Sequence, residues 1–544
     1  MSVPTAELTA PSPSRPSIGS VSLTSRLAGG RLYLVLTVAA LAIAALSLLI
    51  PSTPSYDPWS WLVWGREIAH LDLVTTGGPT WKPLPVIFTT VFSLFGGAAP
   101  DLWLVVARAG ALMAVALTFK VAWRITRDIV SVPGDAVGWA RRAAFIPILF
   151  AALVAAASLI NSKGFVTDNA LGYSEGLMAA LVLVALDRHL DGHRRQAFII
   201  GFFAALDRPE LWALWGPYGL YLWWKDPGAR KLVAGLFVLI PVLWFGPELW
   251  GSGHLFRGVT RAQHVRSNSA ALAKCPFCTE LRQHAWPRVM FRIKIVALLA
   301  MAAAAFGLWR TRASWWRSST PLVSGTRGRM LLLAAGTVGW LWWVGIAVLT
   351  QAGFSGNDRY LVLGSALISI AGGVGWGWGA ATAAKLAARY VGVIRRHLAV
   401  ATTAAVGIAL AILIATPPWI GPSIIDVPAT HRALNYQAQL RTDMTRAVQA
   451  AGGRDRILAC GTVMTEGFQV PMLAWNLDVH TGRLQASPTV AGTGTPPNVI
   501  FQTRAQRNAH LLPIIRAWHG VNYTHVTTQR TFRVFAQCAN GASL

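Results

Sequence analysis

Charge is what this sequence has least of. Only 13% of its 544 residues are Asp, Glu, Lys or Arg, while 54% are hydrophobic. A soluble domain carries roughly a quarter charged residues, so a string of ordinary soluble domains is excluded. Acids are scarcer still: 22 Asp and Glu stand against 48 Lys and Arg, a net charge of +26. Cysteine is nearly missing, with four in the chain, which excludes a cysteine-rich scaffold. There is no Asp-x-Asp triplet and no second Cys-x-x-Cys motif. Tryptophan, by contrast, is abundant at 25 residues, and it favours membrane–water interfaces. These counts describe an integral membrane protein with many spans. The basic excess suggests nucleic-acid binding in a soluble protein and a positive-inside bias in a membrane protein. The placement of the charges decides between them.

Residues 1–30 are rich in Ser, Pro and Thr and read as a disordered cytoplasmic tail. The apolar run 32–50 reads as a retained first span rather than a cleaved signal, because a long tail precedes it and no small-residue cleavage site follows. Further apolar stretches lie near 103–123, 143–160, 174–187, 197–224, 232–249, 290–309, 330–349, 360–380 and 398–416. The 197–224 stretch is broken by Asp207-Arg208-Pro209-Glu210 and reads as two short helices meeting at the outer surface. The expected fold class is an all-α polytopic membrane protein of about eleven transmembrane helices over 31–419. A small extracytoplasmic α/β domain over 420–544 follows. In that tail Arg456–Cys460, Asn498–Gln502 and Thr531–Gln537 look β-like, and Gln469–Leu477 looks amphipathic.

Alternate connections are short and basic: Arg124, Arg141 and Arg142; Arg188, Arg194 and Arg195; Lys225, Arg230 and Lys231; Arg310, Arg312, Arg327 and Arg329; Lys385, Arg389 and Arg395. That alternation places the N-terminus in the cytoplasm and the C-terminal domain outside a plasma membrane. It accounts for the bulk of the charge without nucleic acid. All four cysteines fall in expected outer segments, where an even count favours disulfides. Cys275 and Cys278 close a tight loop, and Cys460 with Cys538 ties the ends of the tail domain. Zinc or redox chemistry at Cys275-Pro276-Phe277-Cys278 is the other reading, with His254, His264 and His284 nearby.

The outer connections of the first half hold the polar chemistry. They carry Tyr56-Asp57-Pro58-Trp59, Trp81-Lys82-Pro83-Leu84-Pro85, Asp168, Tyr173, Glu175 and Asp207-Arg208-Pro209-Glu210, and a later one has Asp358-Arg359-Tyr360. Carboxylates at membrane depth are costly and usually functional. Asp57 and Asp168 are the candidates to converge on one outward cavity, where a carboxylate serves as general base for a hydroxyl. Each residue has a plain structural reading as well. Asp57 caps a turn before Pro58, and Asp168 belongs to a helix-start cluster. Glu175 complements a helix dipole, and Arg208 pairs with Asp207 or Glu210. Lys82 snorkels at the interface. The outer segment 250–294 is strongly basic, including Arg257, Arg261, Arg266, Lys274, Arg282 and Arg288, with Glu280 alone opposing. A phosphate or anionic headgroup explains it, and so does a solvated basic face.

Taken in order, these segments resemble the GT-C superfamily of membrane glycosyltransferases that use polyprenyl-phosphate sugars. The likeness runs over about residues 31–416 and rests on Tyr56-Asp57, Lys82-Pro83-Leu84-Pro85, Tyr173-Ser174-Glu175, the Arg208-Pro209-Glu210 turn and Asp358-Arg359-Tyr360-Leu361. The family's Lys-Pro-Pro-Leu segment is here Lys-Pro-Leu-Pro. The missing Asp-x-Asp triplet leaves a divalent cation, Mg or Mn, as an open question. The resemblance implies that Asp57 is the base and Asp168 the second acidic residue. It implies that Lys82 and Arg359 hold the carrier phosphate. Arg208, Glu210 and Tyr360 are further candidates for substrate binding, and the charge of the 250–294 segment adds Arg257 and Arg261 as candidates to stabilise the departing phosphate. The implied partners are a polyprenyl-phosphate sugar donor, a glycan or lipid acceptor and the bilayer. The tail resembles domains appended to actinobacterial cell-wall arabinosyl- or mannosyltransferases, with Trp475 and Trp518 able to stack on sugar or simply to pack. A lipid-carrier flippase and a non-catalytic scaffold are the rival expectations.

Overall fold

A computed structural model of the chain describes residues 23–130, 139–265, 269–317, 325–395 and 425–539, with Gly407, Gly541 and Leu544. Of the expected disordered tail 1–30, residues 1–22 lie outside the described residues, whereas 23–30 are helical and open the first helix. Arg266 and nearly all of the expected span 398–416 also lie outside the described residues. The chain is a mostly helical membrane protein carrying a small C-terminal sheet domain. Its helices are α1 (Leu23–Leu46), α2 (Tyr56–Ala69), α3 (Pro83–Ser93), α4 (Ala99–Val130), α5 (Trp139–Ile160), α6 (Phe165–Ala170), α7 (Glu175–Leu190), α8 (Arg194–Asp207), α9 (Trp212–Lys225), α10 (Arg230–Ser252), α11 (Arg257–Gln263), α12 (Pro276–Thr279), α13 (Trp286–Arg288), α14 (Phe291–Arg317), α15 (Thr326–Gln351) and α16 (Val362–Arg395). Among the described residues, six helical stretches are long and apolar enough to cross a bilayer: 30–49, 96–130, 227–252, 291–312, 326–351 and 358–386. The expected spans 143–160, 174–187 and the two halves of 197–224 are helical too, but α7, α8 and α9 are shorter than about 20 residues, the usual crossing length.

Small residues let these helices approach. A Cβ on Gly373 would stand 2.4 Å from the Ala151 carbonyl, and one on Gly377 2.5 Å from that of Pro147. This four-residue spacing seats α16 directly on α5. The two ends of the bundle differ in chemistry. At one end Asp187 is fully buried, 2.8 Å from Lys120 and 3.1 Å from Arg124, and accepts a hydrogen bond from Tyr33. Arg195 pairs with Asp226, Arg327 caps the Leu190 carbonyl, and Lys385 caps that of Val130. The basic connections expected on one side thus meet at one end. The polar motifs and the C-terminal domain meet at the other.

The C-terminal domain contains α17 (Val427–Ala450), α18 (Gly453–Cys460), α19 (Val470–Leu477) and a five-stranded sheet of order β2-β1-β3-β5-β4. The strands are β1 (Val463–Thr465), β2 (Leu484–Ala486), β3 (Val499–Gln502), β4 (Thr524–Thr528) and β5 (Arg533–Ala536). β1 is parallel to β2 and β3, with α19 on the crossover, and β5 runs antiparallel to β3 and β4. The stretch Arg456–Cys460, expected to be β-like, is instead the end of a helix. Gly452 and Gly453 at positive φ open it, and Ile457 and Cys460, three apart, bury one helical face. Both expected disulfides are formed, Cys275–Cys278 and Cys460–Cys538.

Candidate functional site

Three of the site residues stand immediately before proline: Asp57, Lys82 and Arg208. The residue before proline is driven to extended backbone or to a helix boundary. Lys82 (φ −138°, ψ 109°) and Arg208 (φ −145°, ψ 127°) are extended, and each leads straight into a helical turn. Their side chains are thereby aimed across the mouth of the bundle. Asp57 lies in the first turn of α2. The start of that helix is pinned by the Ser55 amide on the Leu171 carbonyl at 2.9 Å and by Ser55 Oγ against Tyr173 Oη at 3.0 Å.

These side chains meet around Glu175. Its Oε1 lies 3.0 Å from Arg208 Nη1, 3.2 Å from Lys82 Nζ and 3.5 Å from Arg359 Nε. Lys82 also donates to Ser174 Oγ at 3.1 Å. Arg208 bonds Glu210 at 2.7 Å and lies over the Tyr360 ring at 3.5 Å. Arg359 turns the other way: its Nη2 meets Asp57 Oδ2 at 2.5 Å, and its guanidinium stacks on Tyr173 at 4.2 Å. Asp57, Arg359, Glu175, Arg208 and Glu210 therefore form one chain of alternating charge, from which Lys82 branches at Glu175. Glu175 does sit in the first turn of α7, where the dipole reading puts it. Its carboxylate has a larger task, because three cations converge on it. Lys82 is buried against Trp61 (5.2 Å) and does not snorkel to the interface. The carboxylate beneath it holds it inside.

Asp168 is on α6, beside this chain. Its Oδ2 is buried without a hydrogen-bond partner. Burial pushes its carboxyl up to about 7; Arg288 opposes that shift and Asp358 adds to it. Arg288 is itself buried, with Nη1 2.5 Å from the Asp358 carbonyl.

A cavity of about 370 Å³ opens next to Lys82. Trp244, Phe245, Phe256, Val259, Ile346 and Leu349 form its apolar walls, and Lys82, Asp207, Arg208, Glu210 and Tyr360 lie along its polar side. Asp57, Asp168 and Arg359 are not among its lining residues. Arg257 and Arg261 stand behind its wall and hold backbone: Arg257 donates to the Gly77 and Pro79 carbonyls, and Arg261 to that of Gly78. Among the described residues, no group of three or more His, Cys, Asp and Glu is gathered as metal ligands.

The C-terminal domain is docked onto α2. Arg66 pairs with Asp478 at 2.9 Å and lies over Trp475 at 5.3 Å. His480 contacts Glu67 at 2.8 Å and Asp72 at 3.3 Å. Burial raises the Glu67 carboxyl, while the Val74 amide and His480 oppose that. Trp475 packs near Trp59, and Trp518 is buried with Met464 and Ile500. Sequence reasoning passed over Glu175 as a site residue, and it passed over Asp207, Glu248 and Arg288. The signal for Glu175 was its place directly after Tyr173 and Ser174 at the opening of a span.

No family model matches this chain, and no curated protein matches it. Among solved structures it is similar to ArnT from Cupriavidus metallidurans bound to undecaprenyl phosphate, with 14% identity and a TM-score of 0.47 over 94% of this chain and 99% of that one. It is similar to the same protein in the apo state, with 14% identity and a TM-score of 0.47 over 95% and 100%.

Proposed function

We propose that the chain is a GT-C-type glycosyltransferase that moves a sugar from a polyprenyl-phosphate donor to an acceptor hydroxyl at the outer face of the plasma membrane. The observation that carries this reading is the apolar cavity of about 370 Å³ with Lys82 and Arg208 along one side. An apolar tail and a phosphate together match that pairing of walls. The charge-alternating chain then joins the phosphate side to Asp57. Arginines that hold backbone, Arg257 and Arg261, shape the cavity wall and raise the local positive potential.

In the reaction, the acceptor hydroxyl gives its proton to Asp57 as its oxygen attacks the anomeric carbon. The bond from that carbon to the phosphate oxygen breaks, and the phosphate leaves with the electron pair. The new glycosidic bond forms on the opposite face, so the configuration inverts. With Oδ2 fixed by Arg359, Oδ1 is the oxygen that takes the proton. Lys82 and Arg208 stabilise the charge that grows on the departing phosphate. Asp168 lies beside the attack side as the second acidic group. The N-terminus and the basic connections face the cytoplasm, and the C-terminal domain faces outward. The transferred sugar in this reading is an arabinosyl or mannosyl unit of a cell-wall glycan.

The test is sugar transfer by the purified protein in lipid nanodiscs, with a radiolabelled polyprenyl-phosphate sugar and envelope acceptor. Asp57→Ala abolishes transfer if the reading holds. Unchanged transfer removes Asp57 from the chemistry. Translocation of the labelled donor without any transfer replaces the transferase by a flippase.

A further inference from the structure

A second apolar cavity lies on the other side of the charged chain. It has a volume of about 360 Å³ and lies between α1, α4 and α6, with Ile43, Ala44, Leu112, Val115, Val166 and Leu171 in its wall. The membrane-crossing part of α1 is only 11% buried, so this cavity is walled on one side by a helix that itself faces the bilayer. At its upper rim Arg108 donates to Ser47 Oγ (2.7 Å), Ser52 Oγ (2.9 Å) and the Ala170 carbonyl (2.8 Å). Ser52 also lines a third cavity, of about 490 Å³ and polar, formed with Asp101, Arg441, Thr445 and Arg446. Arg441 is paired with Asp101 at 2.7 Å. The Arg446 side chain is 62% exposed, and its carboxylate neighbour Asp443 is at 4.0 Å.

An apolar slot that continues into a cationic one has the shape of an amphiphile with an anionic head. Arg108, Arg441 and Arg446 against Asp101 and Asp443 give the sign. Position gives the role. Leu171, in the slot wall, accepts from the Ser55 amide, and Tyr173, two residues on, supports Arg359. This slot is therefore on the Asp57 side, while the first cavity is on the Lys82 side. We propose that the slot between α1, α4 and α6 takes the hydrocarbon chain of a lipid acceptor whose anionic head rests at Arg441 and Arg446, so that donor and acceptor both arrive from the bilayer. The assignment of the lipid as acceptor rests on the transferase reading above. The presence of an anionic-lipid site does not.

The test uses the full chain in phosphatidylcholine nanodiscs doped with phosphatidylglycerol bearing a diazirine in its acyl chain. Photolabelling is expected on peptides covering 43–53 and 108–115. Arg446→Glu is expected to cut it about tenfold, and Leu112→Trp, at a position already 36% exposed, to remove it by filling the slot. Label that is absent, or equal for a phosphatidylcholine probe, overturns the site. In the transfer assay Leu112→Trp is expected to raise the KM for envelope-lipid acceptor about tenfold and leave the donor KM unchanged. Labelling as expected with unchanged acceptor KM overturns the acceptor role. A wild-type protein that transfers to no acceptor sinks the transferase reading, while the labelling still decides the lipid site.

Discussion

Arg359 Nη2 lies 2.5 Å from Asp57 Oδ2, joining the entrance of α16 to the entrance of α2 across 302 positions of sequence. The guanidinium also faces Glu175, so a single side chain links the proposed base to the phosphate side. Asp57→Asn keeps the shape and removes the proton acceptor. Transfer is expected to fall by about 10² or more, with donor affinity within about twofold of wild type. Arg359→Lys keeps the charge but loses the planar fork, and its loss is expected to be smaller. Single-turnover transfer alongside donor binding checks both. Equal activity in Asp57→Asn and wild type contradicts the assignment.

Glu175 separates two roles by magnitude. A carboxylate that only complements a helix dipole contributes about 0.3–1 kcal/mol. Here it is 1% exposed and faces Lys82, Arg208 and Arg359. Removing one member of a buried ionic group costs about 3–5 kcal/mol, because the remaining charges lose their partner. Glu175→Gln is therefore expected to lower the unfolding midpoint in detergent far more than dipole loss does. A drop within the dipole range would return Glu175 to the ordinary reading.

Asp168 makes stability depend on pH. Its folded value of about 7 lies above its ordinary 3.8. Between these values the folded chain keeps a proton that the unfolded chain has released. Stability then falls as pH rises from about 4 to 7 and is flat beyond. Asp168→Asn has no such proton. It is expected to lose that slope and to gain on the wild type as pH rises to 8. Melting curves of both proteins at pH 5, 6, 7 and 8 check the sign, and parallel curves contradict it.

The parts of this molecule set by composition and by single residues were readable in the chain. Low charge announced spans, and alternating basic connections announced that Arg124, Arg195, Arg327 and Lys385 share one end. The Asp57-Pro58 step and the Asp207-Arg208-Pro209-Glu210 break marked boundaries where helices begin and end, while Lys82, read as snorkelling outward, is buried. What pairs with what was not readable, because partners such as Arg359 and Asp57 are set by helix packing and not by local spacing. The same holds for Glu175, whose local role at a helix start is real and hides its role as hub. Arg257 and Arg261 read as phosphate ligands because charge is visible in sequence, whereas the open carbonyls of Gly77, Gly78 and Pro79 that occupy them are not. The error at Arg456–Cys460 has a local cause. Two positive-φ glycines before it start a helix, and a short run of apolar residues carries no period that separates helix from strand.

The Cys460–Cys538 bond closes a loop of 78 residues around the whole sheet. It joins the end of α18, just before the inner strand β1, to the residues after β5. Loop closure of this length is worth about 4 kcal/mol through the unfolded state. The domain is small, and its docking on α2 depends on the α19 end, where Trp475, Asp478 and His480 meet Arg66 and Glu67. Cys460→Ser with Cys538→Ser is expected to lower the stability of the C-terminal domain by about that amount and to raise hydrogen exchange in β1, β3 and β5. Exchange in α4, α7 and α16 is expected to stay unchanged, since their packing does not pass through the bond. Loosening of the helical bundle in the double variant would mean instead that the domain holds the bundle together, and would make the two units one cooperative structure.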